Sequence, residues 1–138
     1  MKCLIDTNII LDVLMKRDGF WQSSAQVLKA CEIGTIEGSM TVQSFLDSTY
    51  VLHKELNSQK INIIYDYLSL ILRVVEINGE DLRKACSYDY SDYEDAVQTA
   101  VAERLEVDYI VTRNPRDFKN EIPVITPVEL IKKLYDKG

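Results

Sequence analysis

Short β-rich runs alternate along this chain with longer segments of helical periodicity. That alternation predicts an α/β fold, a three-layer α/β/α sandwich around a central, mostly parallel sheet of four or five strands. Two further observations narrow the prediction. At 138 residues and 15.9 kDa the chain has the length of one domain, residues 1–138, with no internal repeat or low-complexity linker to divide it. Its 46% hydrophobic and 28% charged residues are ordinary globular values, sufficient to build a core without staples.

Taken in order, residues 2–5 form a strand that ends at Asp6. Ile10, Leu11, Leu14 and Met15 recur at helical spacing within residues 8–16, and Asp18-Gly19 closes that helix. Residues 20–33 read as a second helix, stopped by Gly34, and residues 35–40 as a strand interrupted by Gly38. Thr41 caps a helix running to about residue 56. Asn57-Ser58 separates it from the next, whose stripe Ile61, Ile64, Tyr65, Leu68, Ile71 and Leu72 faces a core. A strand at residues 74–77 precedes a short helix at 79–86. Ser91-Asp92-Tyr93-Glu94 matches a capping box, opening a helix to about residue 105. Residues 109–112 are the most apolar strand and residues 123–125 the last. Thr126-Pro127 pairs an N-cap with proline at the first helical position, and that final helix is expected to end near Gly138.

Sixteen basic against 22 acidic residues give a formal charge of −6 and a pI near 4.8. Such a balance excludes a protein that coats nucleic acid, because phosphate binding is driven by Lys and Arg. Cys3, Cys31 and Cys86 lie far apart with no CxxC pair, which suits a reduced intracellular protein with buried thiols rather than a disulfide or zinc framework. A charge breaks the N-terminal segment before a signal-type apolar core can form, and no run approaches the roughly 20 apolar residues that span a bilayer. A cytoplasmic protein without membrane contact is expected.

Ligands of open α/β sheets sit beyond the carboxyl ends of the strands, and acids recur at that edge. Asp6 ends the first strand beside Thr7 and Asn8, and Asp117 follows the loop after the most apolar strand. Asp92 and Asp95 stand three residues apart in the first turn of a helix and so share a face. Turn and cap duties alone account for a lone Asp at such places. Asp47 is less easily explained. Phe45, Leu46, Tyr50 and Val51 around it predict a helix with much of its girth buried, and no basic residue lies one turn away. Several carboxylates converging on one point repel one another unless a cation neutralises them. Mg²⁺ and Mn²⁺ prefer such oxygen ligands, and the chemistry that this suits is metal-assisted phosphodiester hydrolysis.

These blocks resemble the PIN-domain family, the ribonuclease fold of VapC-type toxins, in the family's order and over nearly the whole chain. Leu4-Ile5-Asp6-Thr7-Asn8 is similar to the opening strand with its first catalytic Asp, and Asp47, after Gly38 to Thr41, to the second acidic position. Asp92-Tyr93-Glu94-Asp95-Ala96 resembles the third block, with Asp95 as principal metal ligand and Asp92 in support. Ile110 to Asn114, then Asp117-Phe118, resembles the closing block. Two positions depart from the pattern: Asp47 stands where many members carry Glu, and Asn114 where some carry an acid.

The resemblance implies catalysis by Asp6, Asp47, Asp95 and Asp117, with Asp6, Asp47, Asp92 and Asp95 holding one or two Mg²⁺ or Mn²⁺ ions. It also implies an RNA substrate, a homodimer and an antitoxin protein as partner. Asn8, Thr112 and Asn114 stand next to the carboxylates, where they can orient a ligand or water. Asp12, one turn after Asn8, is read either as facing the same crevice or as a salt-bridge residue. Arg113, Arg116 and Lys119 surround the closing block as phosphate contacts, Arg113 foremost, with solvated surface charge as the alternative. Tyr88, Tyr90 and Tyr93 suit either loop packing or base stacking.

A haloacid-dehalogenase-type phosphatase would need an acid two residues after Asp6, where Asn8 stands, and a receiver domain would need paired acids after the first strand. A non-cleaving PIN fold that binds RNA or protein is the remaining alternative. Bound divalent cations would offset the crowded carboxylates, so the acidity argues against coating RNA and not against cleaving it.

Overall fold

The computed structural model describes residues 1–119 and 122–136. Strands β1 (Lys2–Ile5), β2 (Glu37–Thr41), β3 (Arg73–Val75), β4 (Tyr109–Val111) and β5 (Val124–Ile125) form one sheet in the order β3-β2-β1-β4-β5, with every pairing parallel. Among the described residues the helices are α1 (Thr7–Leu14), α2 (Trp21–Glu32), α3 (Val42–Val51), α4 (Ser58–Ile71), α5 (Gly79–Ala85), α6 (Tyr93–Leu105) and α7 (Pro127–Tyr135). No helix among them is long and apolar enough to cross a membrane.

The strands alternate between two apolar layers, as a sheet covered on both faces must. Cys3, Ile5, Met40 and Val111 pack with Ile9 and Ile10 of α1, Val27 and Leu28 of α2, Leu68 of α4 and Leu130 of α7. Leu4 and Ile110 point the other way, onto Val101 and Ala102 of α6. Gly38 in β2 is required by this packing. A Cβ there would lie 2.5 Å from Cys31 Sγ and 2.7 Å from Leu72 Cδ2, so α2 and the end of α4 rest directly on the strand.

Topology places the candidate site. The chain builds outward from β1 through β2 to β3, then crosses to the other side of β1 for β4 and β5. The strand order therefore reverses at β1, and the carboxyl end of β1 is the switch point where such sheets open a crevice. Asp6 is the residue at that end, its N–H donating to the Val111 carbonyl at 3.0 Å.

Most local expectations hold within a residue or two, and several do not. Helix α3 stops at Val51 with a separate 3₁₀ turn at His53–Glu55, because Leu52 turns inward and is buried. The cap of α6 is Asp92, which accepts from Glu94 N–H at 2.9 Å, so the helix starts one residue later than a Ser91 cap implies and Asp92 lies outside its first turn. Cys86 is exposed, whereas Cys3 and Cys31 are buried, and burial pushes both of those thiols up to about 12. Helix α7 ends at Tyr135; Gly138, where it was expected to end, lies outside the described residues.

Candidate active site

Asp6 forms the floor. It ends β1 and caps α1, and both of its carboxylate oxygens are held from two sides. Oδ1 accepts from Thr7 N–H at 2.8 Å and from Gln98 Nε2 at 2.7 Å. Oδ2 accepts from Thr112 Oγ1 at 2.7 Å and Asn8 Nδ2 at 3.3 Å. With 8% exposure this carboxylate depends on those donors, since an unpaired buried charge costs several kcal/mol (roughly).

Three elements raise walls around it. Thr41 caps α3 by accepting from Ser44 N–H at 3.0 Å, and Thr7 donates to Ser44 Oγ at 2.9 Å, which ties the start of α3 to the start of α1. Asp47, one turn after Gln43, accepts from its Nε2 at 2.9 Å. From α6 come Asp92, Glu94, Asp95 and Gln98, and the 3₁₀ turn Pro115–Asp117 contributes Asp117. Six carboxylates, Asp6, Asp47, Asp92, Glu94, Asp95 and Asp117, thus line one crevice of about 710 Å³. Among the described residues no Lys or Arg lines it.

The electrostatic consequence falls on α6. Burial first, then the charges of Asp92, Asp6, Asp117 and Glu94, push the Asp95 carboxyl up to about 7. Glu94 is raised as well, chiefly by Asp47 across the crevice, then by burial, Asp92 and Asp6. Hard oxygen donors are what a divalent cation such as Mg²⁺ or Mn²⁺ takes, so the donor set fits such an ion in chemistry. Among the described residues no three acids, histidines or cysteines are drawn into a closed cation cage. The carboxylates are spread over the walls of the crevice.

Asp6, Asp47, Asp92, Asp95, Asp117, Asn8 and Asn114 all line the crevice, and Thr112 is buried against Asp6. Others are placed differently from the sequence-based expectation. Asp47 is half-buried at the crevice wall, not in a buried helix: Leu46, Tyr50 and Val51 of α3 are exposed. Asp12 does not face the crevice but is fully buried beside Arg113 and Arg17, the salt-bridge alternative. Arg113 turns its guanidinium onto Asp12 and over the Phe20 ring, 4.1 Å from the centroid, and so is not aimed at a phosphate in the crevice. Arg116 is exposed beside Asp117, and Lys119 faces Asp89 at 3.8 Å. Tyr90 packs on Phe118, while Tyr93 lines the crevice with its hydroxyl donating to the Leu82 carbonyl at 2.7 Å.

Glu94 and Gln98 were not singled out as site residues from sequence. Glu94 satisfies a capping-box pattern, and Gln98 carries no charge to attract notice. The available signal was helical spacing: Gln98 lies one turn after both Glu94 and Asp95, on the same face.

A family model described as PIN domain matches residues 2–116. No curated protein sequence matches the chain closely enough to serve as a relative. Among solved structures, a toxin–antitoxin complex from Klebsiella pneumoniae aligns with a TM-score of 0.68 at 20% identity, covering 91% of this chain and 97% of that one. FitAcB from Neisseria gonorrhoeae aligns at 0.66 and 18% identity over 91% and 98% of the two chains. Mycobacterium tuberculosis VapC20, described as a toxin that cleaves the sarcin–ricin loop, aligns at 0.62 and 12% identity over 86% and 91%. At these identities the likeness is one of fold.

Proposed function

Because the chain belongs to the PIN-domain family, we propose that it acts, as one domain, as a metal-dependent endoribonuclease, the toxin of a toxin–antitoxin pair. The observation that carries this reading is the crevice at the sheet's switch point, lined by six carboxylates and, among the described residues, no cation. A phosphate cannot approach such a surface unaided. Mg²⁺ or Mn²⁺, when bound, supplies Lewis-acid activation of water and compensation of phosphoryl charge.

Asp6, Asp47 and Asp95 hold the ion or ions in this reading, with Asp92 beside Asp95 and Asp117 from the opposite wall. Thr112, Asn8 and Gln98 fix the direction in which the Asp6 oxygens point. Asp95 would serve as a ligand in its ionised form, as a coordinating carboxylate must. Asn114 borders the crevice and can orient water, and Arg116 at the rim is an exposed cation left for an RNA phosphate.

An antitoxin partner is supported by the neighbours solved as toxin–antitoxin complexes, including VapBC2 from Rickettsia felis. Leu46 and Tyr50 on α3 and Ile63 and Leu70 on α4 are exposed, the kind of apolar area that a protein partner or the second copy of a homodimer covers.

Purified protein incubated with mixed RNA and Mn²⁺, with and without EDTA, tests the activity. Chelator-sensitive cleavage that is lost in Asp6→Asn and Asp95→Asn is the expected result. Full activity in either variant overturns the assignment of that residue. RNA binding without cleavage supports the alternative of a non-cleaving PIN-fold binding protein.

A further inference from the structure

Arg113, an arginine next to the site, is turned away from it, and that orientation has a purpose. Asp12 is 0% exposed and joins α1 to α2 and to the loop after β4, 101 residues away. Its Oδ2 accepts from Arg113 Nε at 2.7 Å and from Ser24 Oγ of α2 at 3.1 Å, and Arg17 lies 3.6 Å from Oδ1. The Arg113 guanidinium is sandwiched further by the Phe20 ring. The side chain thus clamps the loop that leaves β4.

What the clamp holds is the backbone of Arg113, and that backbone reaches the floor of the crevice. Arg113 N–H donates to Asn8 Oδ1 at 3.3 Å. With its oxygen so engaged, the Asn8 amide must present Nδ2 on its other side, where it donates to Asp6 Oδ2 and Thr112 Oγ1, both at 3.3 Å. Asn8 and Asp12 are successive turns of one helix face, so α1 and the β4 loop are joined twice, once at each turn. A reversed Asn8 amide would set its oxygen against a carboxylate oxygen and its NH2 against the Arg113 N–H, so the two contacts together hold the observed orientation.

We propose that Asp12 and Arg113 are positioning residues for the metal centre, acting through the Asn8 amide to fix the orientation of the Asp6 carboxylate at the floor of the crevice. This rests on the reading of the crevice as a divalent-cation site. It assigns Arg113 a role other than gripping phosphate, and it gives the buried Asp12 a task beyond joining α1 to α2. Asn8 is the group one hydrogen bond removed from Asp6, a place where removal typically changes metal affinity by about 10- to 100-fold, and Arg113 and Asp12 act through it.

The test is Mn²⁺ affinity, measured on the whole chain by calorimetry or by the Mn²⁺ spin-resonance signal, with RNA absent. Arg113→Met keeps an unbranched apolar stem against Phe20 and is expected to weaken Mn²⁺ binding about tenfold; Arg113→Lys keeps the charge but not the Nε donor and falls between. Asn8→Ala weakens binding by a similar factor, and Arg113→Met added to Asn8→Ala weakens it no further. A role confined to stability would lower the melting temperature in every background and leave Mn²⁺ affinity in the folded variants unchanged. Unchanged affinity in Arg113→Met, or additive losses in the double variant, overturns the proposal while leaving the metal-centre reading intact. Failure of the wild-type chain to take up Mn²⁺ overturns both. Asp12→Asn, which removes the charge and keeps the shape, checks the same relay from its other end and is expected to behave as Arg113→Met does.

Discussion

Gln98 donates from Nε2 to Asp6 Oδ1 over 2.7 Å, joining two residues 92 positions apart across the crevice, while its own Oε1 is buried without a hydrogen-bond partner. The amide is one of four donors that hold the Asp6 carboxylate, with Thr7 N–H, Thr112 Oγ1 and Asn8 Nδ2.

Gln98→Leu is therefore expected to destabilise the protein by about 1–3 kcal/mol in EDTA, the usual range for a hydrogen bond to a charged group. In excess Mn²⁺ the loss is expected to shrink, because a cation held by Asp6 would offset the missing donor. Urea denaturation in the two conditions measures both values. An equal loss in each would contradict this account.

Asp95 sets a pH dependence. Its carboxyl, raised from 3.8 to about 7 by burial and by Asp92, Asp6, Asp117 and Glu94, binds its proton more tightly in the folded chain than in the unfolded one. The folded state is then penalised as pH rises from 3.8 through about 7, with the full penalty above. Metal-free protein is expected to melt at a lower temperature at pH 8 than at pH 5.5, as far as this group is concerned. Asp95→Asn is expected to raise the pH 8 value and flatten the difference, and Mn²⁺ to restore stability to the wild-type chain at pH 8. Thermal scans in EDTA and in Mn²⁺ check each point.

Asp81 is the counterexample among the buried acids. It completes the capping box of α5 with Asn78 and meets Arg104 of α6 through two bonds, Nε to Oδ1 at 3.0 Å and NH2 to Oδ2 at 2.9 Å. Burial alone would raise its carboxyl, but Arg104 and the Asn78 N–H outweigh that and hold it below 3.8. Its stabilisation is present above the ordinary carboxylate range and is lost as pH falls through the lowered value. Asp81→Ala is expected to cost roughly 3 kcal/mol at neutral pH, from the lost cap and the stranded Arg104, with Mn²⁺ affinity unchanged. Chemical denaturation and a metal titration separate the two effects.

Gly38→Ala tests the packing of the other layer. The added Cβ would meet Cys31 Sγ at 2.5 Å and Leu72 Cδ2 at 2.7 Å, so a loss of about 1–3 kcal/mol is expected. Cys31→Ala in the same chain removes the nearer obstacle and is expected to recover part of that loss, by the same denaturation measurement.

Local chemistry made the architecture legible in advance. Thr41, Asn57 and Thr126 cap their helices by accepting a backbone N–H three residues on, and the apolar runs at β1 and β4 could only be strands buried on both faces. Strand ends and helix starts meet at one edge of a parallel sheet, which pointed to Asp6, Asp92, Asp95 and Asp117, whereas Asp47, inside α3, was marked by the resemblance and by a buried helix that the structure does not show. Spacing within a helix tells which residues share a face. It does not tell what lies opposite that face.

Tertiary structure decided the rest for that reason. Whether Arg113 reached into the crevice or back to Asp12 depended on α2 delivering Ser24 and Phe20 to the same place. The exposure of α3 around Asp47 depended on which of its faces the sheet covered. Glu94 and Gln98 became crevice residues only when Asp47 and Asp6 arrived across from them. The single-domain length and the −6 charge were readable at the start. Where that charge is concentrated, and which neutral amide holds the carboxylate at its floor, followed from contacts between segments up to 92 residues apart, which no local pattern encodes.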